Sequence, residues 1–376
     1  MYRVVIDARS VVARQSGIGN YVDALVRHMV PLATDMRFVI LRHPDATVPM
    51  VKSDRVEELR FRGETKSVDT VFRLGRAHSF ADCDLYHSPA DLVPLGIRCP
   101  WVVTIHDLMW IEARKLASAF LPVRVANGIW YTLNIRRSVA GARRVIAISQ
   151  ATADAIERVF PAAASKTTVV HHGLDHERYA PGNAGPRAVL DSIVPPGMRY
   201  SLIVGQGSPY KNHVGMLRAF VEAMRDRPGH KLVLVRRFSR IDRGMNELMA
   251  RPEVREKVIS VPFVPADILL ALYRHARMLL FASHYEGFGL PALEAMSLCT
   301  PVLASTAAAV REVTGSGALH AIPDDHRDLV DKMRRLDDDE ELRQRLIDAG
   351  QRRAAEFSWE RAARATLDVY RAAIEG

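Results

Sequence analysis

Short β-branched runs, several of them nearly all apolar, recur along this chain, with segments of helical periodicity between them. In the first half the runs fall at residues 3–6, 37–41, 84–87, 101–105, 144–148 and 167–170. Runs without polar alternation suit strands covered on both faces, which is how parallel sheets are built. Amphipathic stretches such as 19–30 and 149–160 read as the crossover helices, the latter opening on Ser149 as N-cap. Residues 176–198 break the rhythm with Pro181, Gly182, Gly185, Pro186, Pro195, Pro196 and Gly197, a linker composition. The alternation then restarts with runs at 201–204, 231–235, 258–261, 278–281 and 302–304. Two consecutive βαβα series predict an α/β protein of two doubly wound, Rossmann-like domains facing a central cleft. The expected boundaries are 1–182, 183–356 and a terminal helix over 357–376.

A length of 376 residues agrees with two domains, and 48% hydrophobic residues supply two cores. Residues 1–7 read as a strand rather than a leader, and no apolar run approaches the roughly 20 residues that cross a bilayer. Cys83, Cys99 and Cys299 are scattered without metal-ligand spacing, as expected of reduced thiols in a cytoplasmic protein. A net charge of +9 favours an anionic partner. Nucleic acid, acidic membrane and phosphorylated substrate all satisfy it.

Ligands of doubly wound sheets sit beyond the carboxyl ends of strands, so the residues following each run carry the chemistry. After the run 278–281 the chain reads Glu286, Gly287, Phe288, Gly289, Leu290, Pro291 and, three residues on, Glu294. Gly287 and Gly289 permit a tight turn, and Pro291 suits the first turn of a helix. The free amides of that helix offer a diphosphate site. Glu294 can accept from two ribose hydroxyls, and Glu286 lies nearer a transferred sugar.

This segment resembles the E-x7-E stretch of retaining glycosyltransferases of the GT-B fold, specifically the large family 4 with its many bacterial mannosyltransferases. The likeness runs over essentially the whole chain. It implies that Gly205, Lys211 and Asn212 form the family's G-x-x-x-P-x-K-N stretch, with Lys211 on the donor phosphates. Relatives often carry arginine where Tyr210 stands, and the preceding strand usually runs into glycine where Arg236 stands. Arg236 or Arg237 would then supply the second cation. It further implies that Gly17 and Gly19 let backbone approach phosphate or sugar, and that His106 bonds a sugar hydroxyl. Asp107 would orient His106 or the acceptor. His172 replaces the asparagine of an N-G-V-D turn, and the last helix is expected to return to the first domain. Read instead as a dinucleotide fingerprint, Gly17 and Gly19 fit poorly, because Val22 takes the third glycine's place.

The expected activity is transfer of a hexose, with mannose from GDP-mannose the leading donor, to a lipid-linked or polysaccharide acceptor. The nucleotide sugar is a substrate; no cofactor and no metal are expected, and Asp337, Asp338 and Asp339 read as a solvated helix start. The basic and apolar segment 114–144 reads either as a packed helix with solvated charges or as a weak contact to anionic membrane on the cytoplasmic face. Other classes stay open: a GT-B sugar phosphorylase or epimerase, or a non-catalytic nucleotide-sugar-binding protein. A nucleic-acid-binding protein would need a basic stripe with exposed stacking aromatics, which the sequence lacks.

Overall fold

The computed structural model describes residues 1–12, 17–118, 120–236 and 243–376. Ser16, heading the first glycine pair, and Arg237, the alternative cation, lie outside the described residues. The chain forms two compact units. One comprises Met1–Glu112, Val125–Gly173 and Phe357–Gly376; the other comprises Ala113–Arg124 and Leu174–Glu356.

The first unit holds β1 (Tyr2–Asp7), β2 (Met36–Arg42), β3 (Val56–Arg60), β4 (Leu85–Ser88), β5 (Trp101–Ile105), β6 (Arg144–Ala147) and β7 (Thr167–Val169). All pairings are parallel, in the order β3-β2-β1-β4-β5-β6-β7. The second unit holds β8 (Arg199–Val204), β9 (His230–Val235), β10 (Val258–Val261), β11 (Met278–Phe281), β12 (Val302–Ser305) and β13 (Leu319–Ala321). Its order, β10-β9-β8-β11-β12-β13, repeats that plan. In each sheet the winding reverses beside the first strand, between β1 and β4 and between β8 and β11. That switch point opens a crevice at the carboxyl ends.

Two strands, β3 and β13, fall outside the apolar runs of the sequence. Each lies at a sheet edge. β3 carries Glu57, Glu58 and Arg60 among its five residues and none of the five is buried, as suits an edge facing water, and β13 is only three residues long. The breaker-rich stretch is not a bare tether. It folds into 3-10 turns at Pro181–Asn183 and Arg187–Leu190, and it buries Leu190 and Val194 in the second unit.

In the first unit, helix Gly17–Leu32 lays Tyr21, Val22, Leu25, Val26 and Met29 against β1 and β2. Helix Trp359–Glu375 completes the same core with Ala362, Ala363, Leu367 and Tyr370. Each large apolar side chain buried there contributes roughly 1.5–3 kcal/mol. Ser358 caps the second helix, its hydroxyl accepting from the Arg361 amide, and Ser149 caps Gln150–Val159 through the Thr152 amide, as the sequence led us to expect. The aspartate run differs from expectation. Asp337 is buried at the end of helix His326–Asp338, paired with Arg227, Arg277 and His230. Burial would raise its carboxyl, but His230 and Arg227 hold it well below the usual range. Asp338 is solvated, and Asp339 caps the next helix.

Candidate active site

The second unit gathers its expected residues around the switch point between β8 and β11. Gly205 follows β8 at φ +146°, a conformation that glycine alone adopts without strain. The loop after it closes in a 3-10 turn, Pro209–Lys211, and Asn212 takes the left-handed conformation. The Asn212 amide donates to the carbonyls of Ala282 (3.1 Å) and Pro323 (2.8 Å), tying three loops at the carboxyl end of the sheet. This staple aims Lys211 at Glu286: Nζ lies 2.7 Å from Oε1 and 2.9 Å from Oε2. The ammonium also sits over the rings of Tyr210 (5.1 Å) and Phe281 (5.6 Å). Tyr210, where relatives often have arginine, thus gives Lys211 a π face rather than a second charge.

Arg236 directly follows β9 and is buried, with Nη1 3.3 Å from His213 Nδ1. A guanidinium only donates, so His213 accepts at Nδ1 and is neutral. Burial, then Arg236 and Lys211, push its pKa down to about 3. A side chain on Gly207 would collide with this arrangement, because a Cβ there would stand 1.9 Å from Arg236 Nη2. The missing side chain makes room for the guanidinium beside the Gly205–Asn212 loop. Arg236 and Gly207 border a cavity of about 900 Å³ that Ser208, Arg218 and His284 also line.

Glu286 and Gly287 lead through buried Phe288 to Gly289, at φ +127°, which heads helix Leu290–Ser297 with Pro291 in its first turn. The leading amides of this helix, with its positive dipole end, begin directly after the turn. Glu294 falls in the second turn. Its oxygens accept from the phenols of Tyr179 (2.7 Å) and Tyr273 (2.9 Å), and burial raises its pKa. Each oxygen keeps a further lone pair for another donor. The two tyrosines escaped the sequence reading; neither stands in a motif.

In the first unit, His106 and Asp107 follow β5 at its carboxyl end. The His106 ring donates from Nε2 to the Pro89 carbonyl at 2.8 Å, which leaves Nδ1 as acceptor. Burial lowers its pKa and keeps the ring neutral. The carboxylate bonded to His106 is Asp91, which accepts its backbone amide at 2.7 Å. Asp107 accepts instead from the Met109 amide at 2.9 Å, capping the short helix Met109–Glu112, and burial followed by the Asp91 charge raises its pKa. Asp91 itself sits at φ +65° and pairs with Lys66. Burial would raise its carboxyl, but Lys66 and then His106 bring it below the usual range. Gly17 and Gly19 open helix Gly17–Leu32, with Gly17 exposed and Gly19 buried. Tyr21, one turn on, packs its ring edge against His106 (5.1 Å, 85°) and its face on His172 (4.7 Å, 20°). That stack explains why an aromatic ring at position 172 is accommodated.

Comparison with known proteins gives the family and the fold. Residues 192–353 match the family described as Glycosyl transferases group 1, and residues 15–178 match Glycosyltransferase Family 4. The chain is 30% identical over 290 residues to O-antigen chain mannosyltransferase B of Escherichia coli, covering 76% of this chain and 74% of that protein. It is also 30% identical over 286 residues to the D-inositol 3-phosphate glycosyltransferase of Nocardia farcinica, covering 74% of this chain but only 62% of the relative's length. Similar structures include sucrose-phosphate synthase from Thermosynechococcus elongatus (TM-score 0.75, 19% identity, 99% of this chain and 98% of that one). Anabaena HepE in complex with UDP-glucose is another (TM-score 0.71, 17% identity, 98% and 100%).

Proposed function

The chain belongs to the group 1, family 4 glycosyltransferases and has the two doubly wound units of the GT-B fold; on that premise we propose that it is a retaining, metal-independent hexosyltransferase. The observation that carries this is the Lys211–Glu286 pair at the switch point of the second sheet, set beside a helix N-terminus. A nucleoside diphosphate leaving group develops negative charge as its bond to the sugar breaks. Lys211 and the leading amides of Leu290–Ser297 are fixed donors for that charge, in the role a divalent cation takes elsewhere. Arg236 adds a second cation along the same loop. In the second unit Glu286 accepts from sugar hydroxyls and Glu294 from the ribose; in the first unit His106 offers Nδ1 as an acceptor for a hydroxyl. Transfer with retention follows if the departing phosphate takes the acceptor's proton on the face it leaves.

The donor we favour is GDP-mannose and the acceptor a lipid-linked or polysaccharide glycan, supported by the name of the Escherichia coli relative. The test is purified protein screened with GDP-mannose, UDP-glucose and other nucleotide sugars for thermal stabilisation. A ligand at 100 times its Kd adds about 2.7 kcal/mol. Stabilisation by GDP-mannose, followed by an α-configured product by NMR, supports the reading. Stabilisation by UDP-glucose alone moves the donor, and an inverted product overturns the mechanism.

We further propose weak attachment to anionic membranes. In helix Leu121–Gly141 the exposed face is apolar. Leu121 (58% exposed), Val125 (49%), Ile129 (53%) and Leu133 (63%) follow one another at i, i+4 spacing, with Phe120 exposed just before them. Arg136 and Arg143 flank this stripe in solvent, whereas Arg137 is drawn inward to the Val93 carbonyl. An apolar stripe edged with arginine suits the headgroup boundary, where each basic residue contributes roughly 1 kcal/mol. Among the described residues no helix is long and apolar enough to cross a membrane. Co-sedimentation with anionic liposomes at low salt, lost at high salt and in Ile129→Asp, is expected. Protein left in the supernatant at low salt rules the attachment out.

A further inference from the structure

A continuous chain of side chains runs from the last helix to His106. In helix Trp359–Glu375 the Tyr370 hydroxyl lies 2.6 Å from His87 Nδ1. The other ring nitrogen, Nε2, lies 2.8 Å from Thr104 Oγ1, and Thr104 Oγ1 lies 3.2 Å from the Tyr21 hydroxyl. All four residues are buried. Burial, then the neighbouring His106, push the His87 pKa down to about 3, so its ring carries one proton. Burial likewise keeps the hydroxyls of Tyr370 and Tyr21 protonated. Either tautomer satisfies both ring nitrogens, because each hydroxyl can donate or accept: one nitrogen donates to its hydroxyl and the other accepts. Tyr21, at the far end, holds the His106 ring edge-on and stacks on His172. The helix touches this cluster a second time, three turns earlier, where Trp359 stacks on His172 at 5.9 Å.

Nothing in core packing requires this wiring. A tyrosine that only filled space would do as well as phenylalanine, and burying its hydroxyl without a partner would cost energy. Here the hydroxyl has one partner, and that partner leads to the first unit's ligand-facing histidine.

We propose that Tyr370 is a positioning residue for the transfer reaction, setting His106 through His87, Thr104 and Tyr21. The proposal rests on the role given to His106 above. Tyr370 touches no substrate; it fixes the ring of Tyr21, and Tyr21 fixes the angle at which His106 presents Nδ1.

The test is Tyr370→Phe, which keeps the ring and removes only the hydroxyl. The expected outcome is a drop of about tenfold in kcat with KM for the nucleotide sugar changed less than twofold. In 15N spectra of histidine-labelled protein, the imidazole signals of both His87 and His106 should shift. Arg371→Ala on the same helix breaks the outward pair with Asp35 and serves as control. It should lower Tm while leaving kcat and both imidazole signals unchanged. An unchanged His106 signal in Tyr370→Phe overturns the proposal, because the relay then ends before the site. A shifted signal with unchanged kcat overturns it as well. The spectra read the coupling even if wild type transfers no sugar, so failure of the functional reading is distinguishable from failure of the relay.

Discussion

Glu286 and Lys211 neutralise one another, and this fixes what each substitution should do. On the proposed roles, Glu286→Gln removes the carboxylate assigned to the sugar but leaves in place the cation assigned to the phosphates. Turnover should fall to a small residue of wild type while nucleoside diphosphate affinity stays within a few-fold, read by calorimetry. Lys211→Ala removes a charged hydrogen-bond donor worth about 1.5–3 kcal/mol, so the nucleoside diphosphate Kd should rise roughly 10- to 100-fold. Equal affinities in wild type and variant would transfer the role to Arg236. These residues were legible because the sequence sets unusual types at strand-to-helix junctions: glycine pairs, a proline at a helix start, a lone lysine. Their partners were not. Tyr179 and Tyr273 meet on Glu294 across 115 and 21 residues of chain, and a tyrosine among apolar residues looks like any core aromatic. Asp91 escaped for a related reason. Its distinction is a left-handed backbone and a bond to the His106 amide, and neither leaves a mark in sequence.

At the level of elements, the apolar runs located their strands to within two residues at either end, since a strand covered on both faces must be apolar throughout. The edge strands β3 and β13 carry no such run, and so they went unread. Helix Leu121–Gly141 shows the limit of composition. Its mixture of arginines and large apolar side chains named an amphipathic helix, but which face meets solvent depends on what packs beneath it, and the face it turns inward carries Gly128, Asn134, Ile135, Ser138 and Val139. The end of β1 carries a further device. Arg9 grips both oxygens of Asp7, at 2.8 Å from Nε and 2.5 Å from Nη2, and reaches Thr70 at 2.8 Å, all of it buried. Removing one partner of such a pair strands a charge in the interior. Arg9→Ala should therefore destabilise the protein by about 3–5 kcal/mol, seen as a lower urea midpoint. A midpoint within error of wild type would mean that solvent reaches Asp7.

For the whole molecule, two buried histidines, His87 and His213, tie stability to pH. Each has its pKa pushed down to about 3 in the fold, against roughly 6.5 when unfolded. Below 6.5 the unfolded chain binds a proton that the fold refuses, so stability falls as pH drops from 6.5 towards 3. The slope is about 1.4 kcal/mol per pH unit for each histidine. His213→Asn should cancel one share: between pH 6 and 4 the variant loses about 1.4 kcal/mol less per unit than wild type, by urea unfolding at each pH. Parallel slopes would show that His213 titrates normally in the fold. The two-unit plan was legible because the same rhythm appears twice, yet the path of the chain between units carries a consequence of its own. Helix Trp359–Glu375 is made after the whole of Leu174–Glu356, but it supplies Ala363, Leu367 and Tyr370 to the core of the first unit. During synthesis that unit must wait with its apolar face bare until this helix has been made, while Leu174–Glu356 can already close on itself. A nascent chain arrested before residue 357 should therefore recruit chaperones through its older half rather than its newer one.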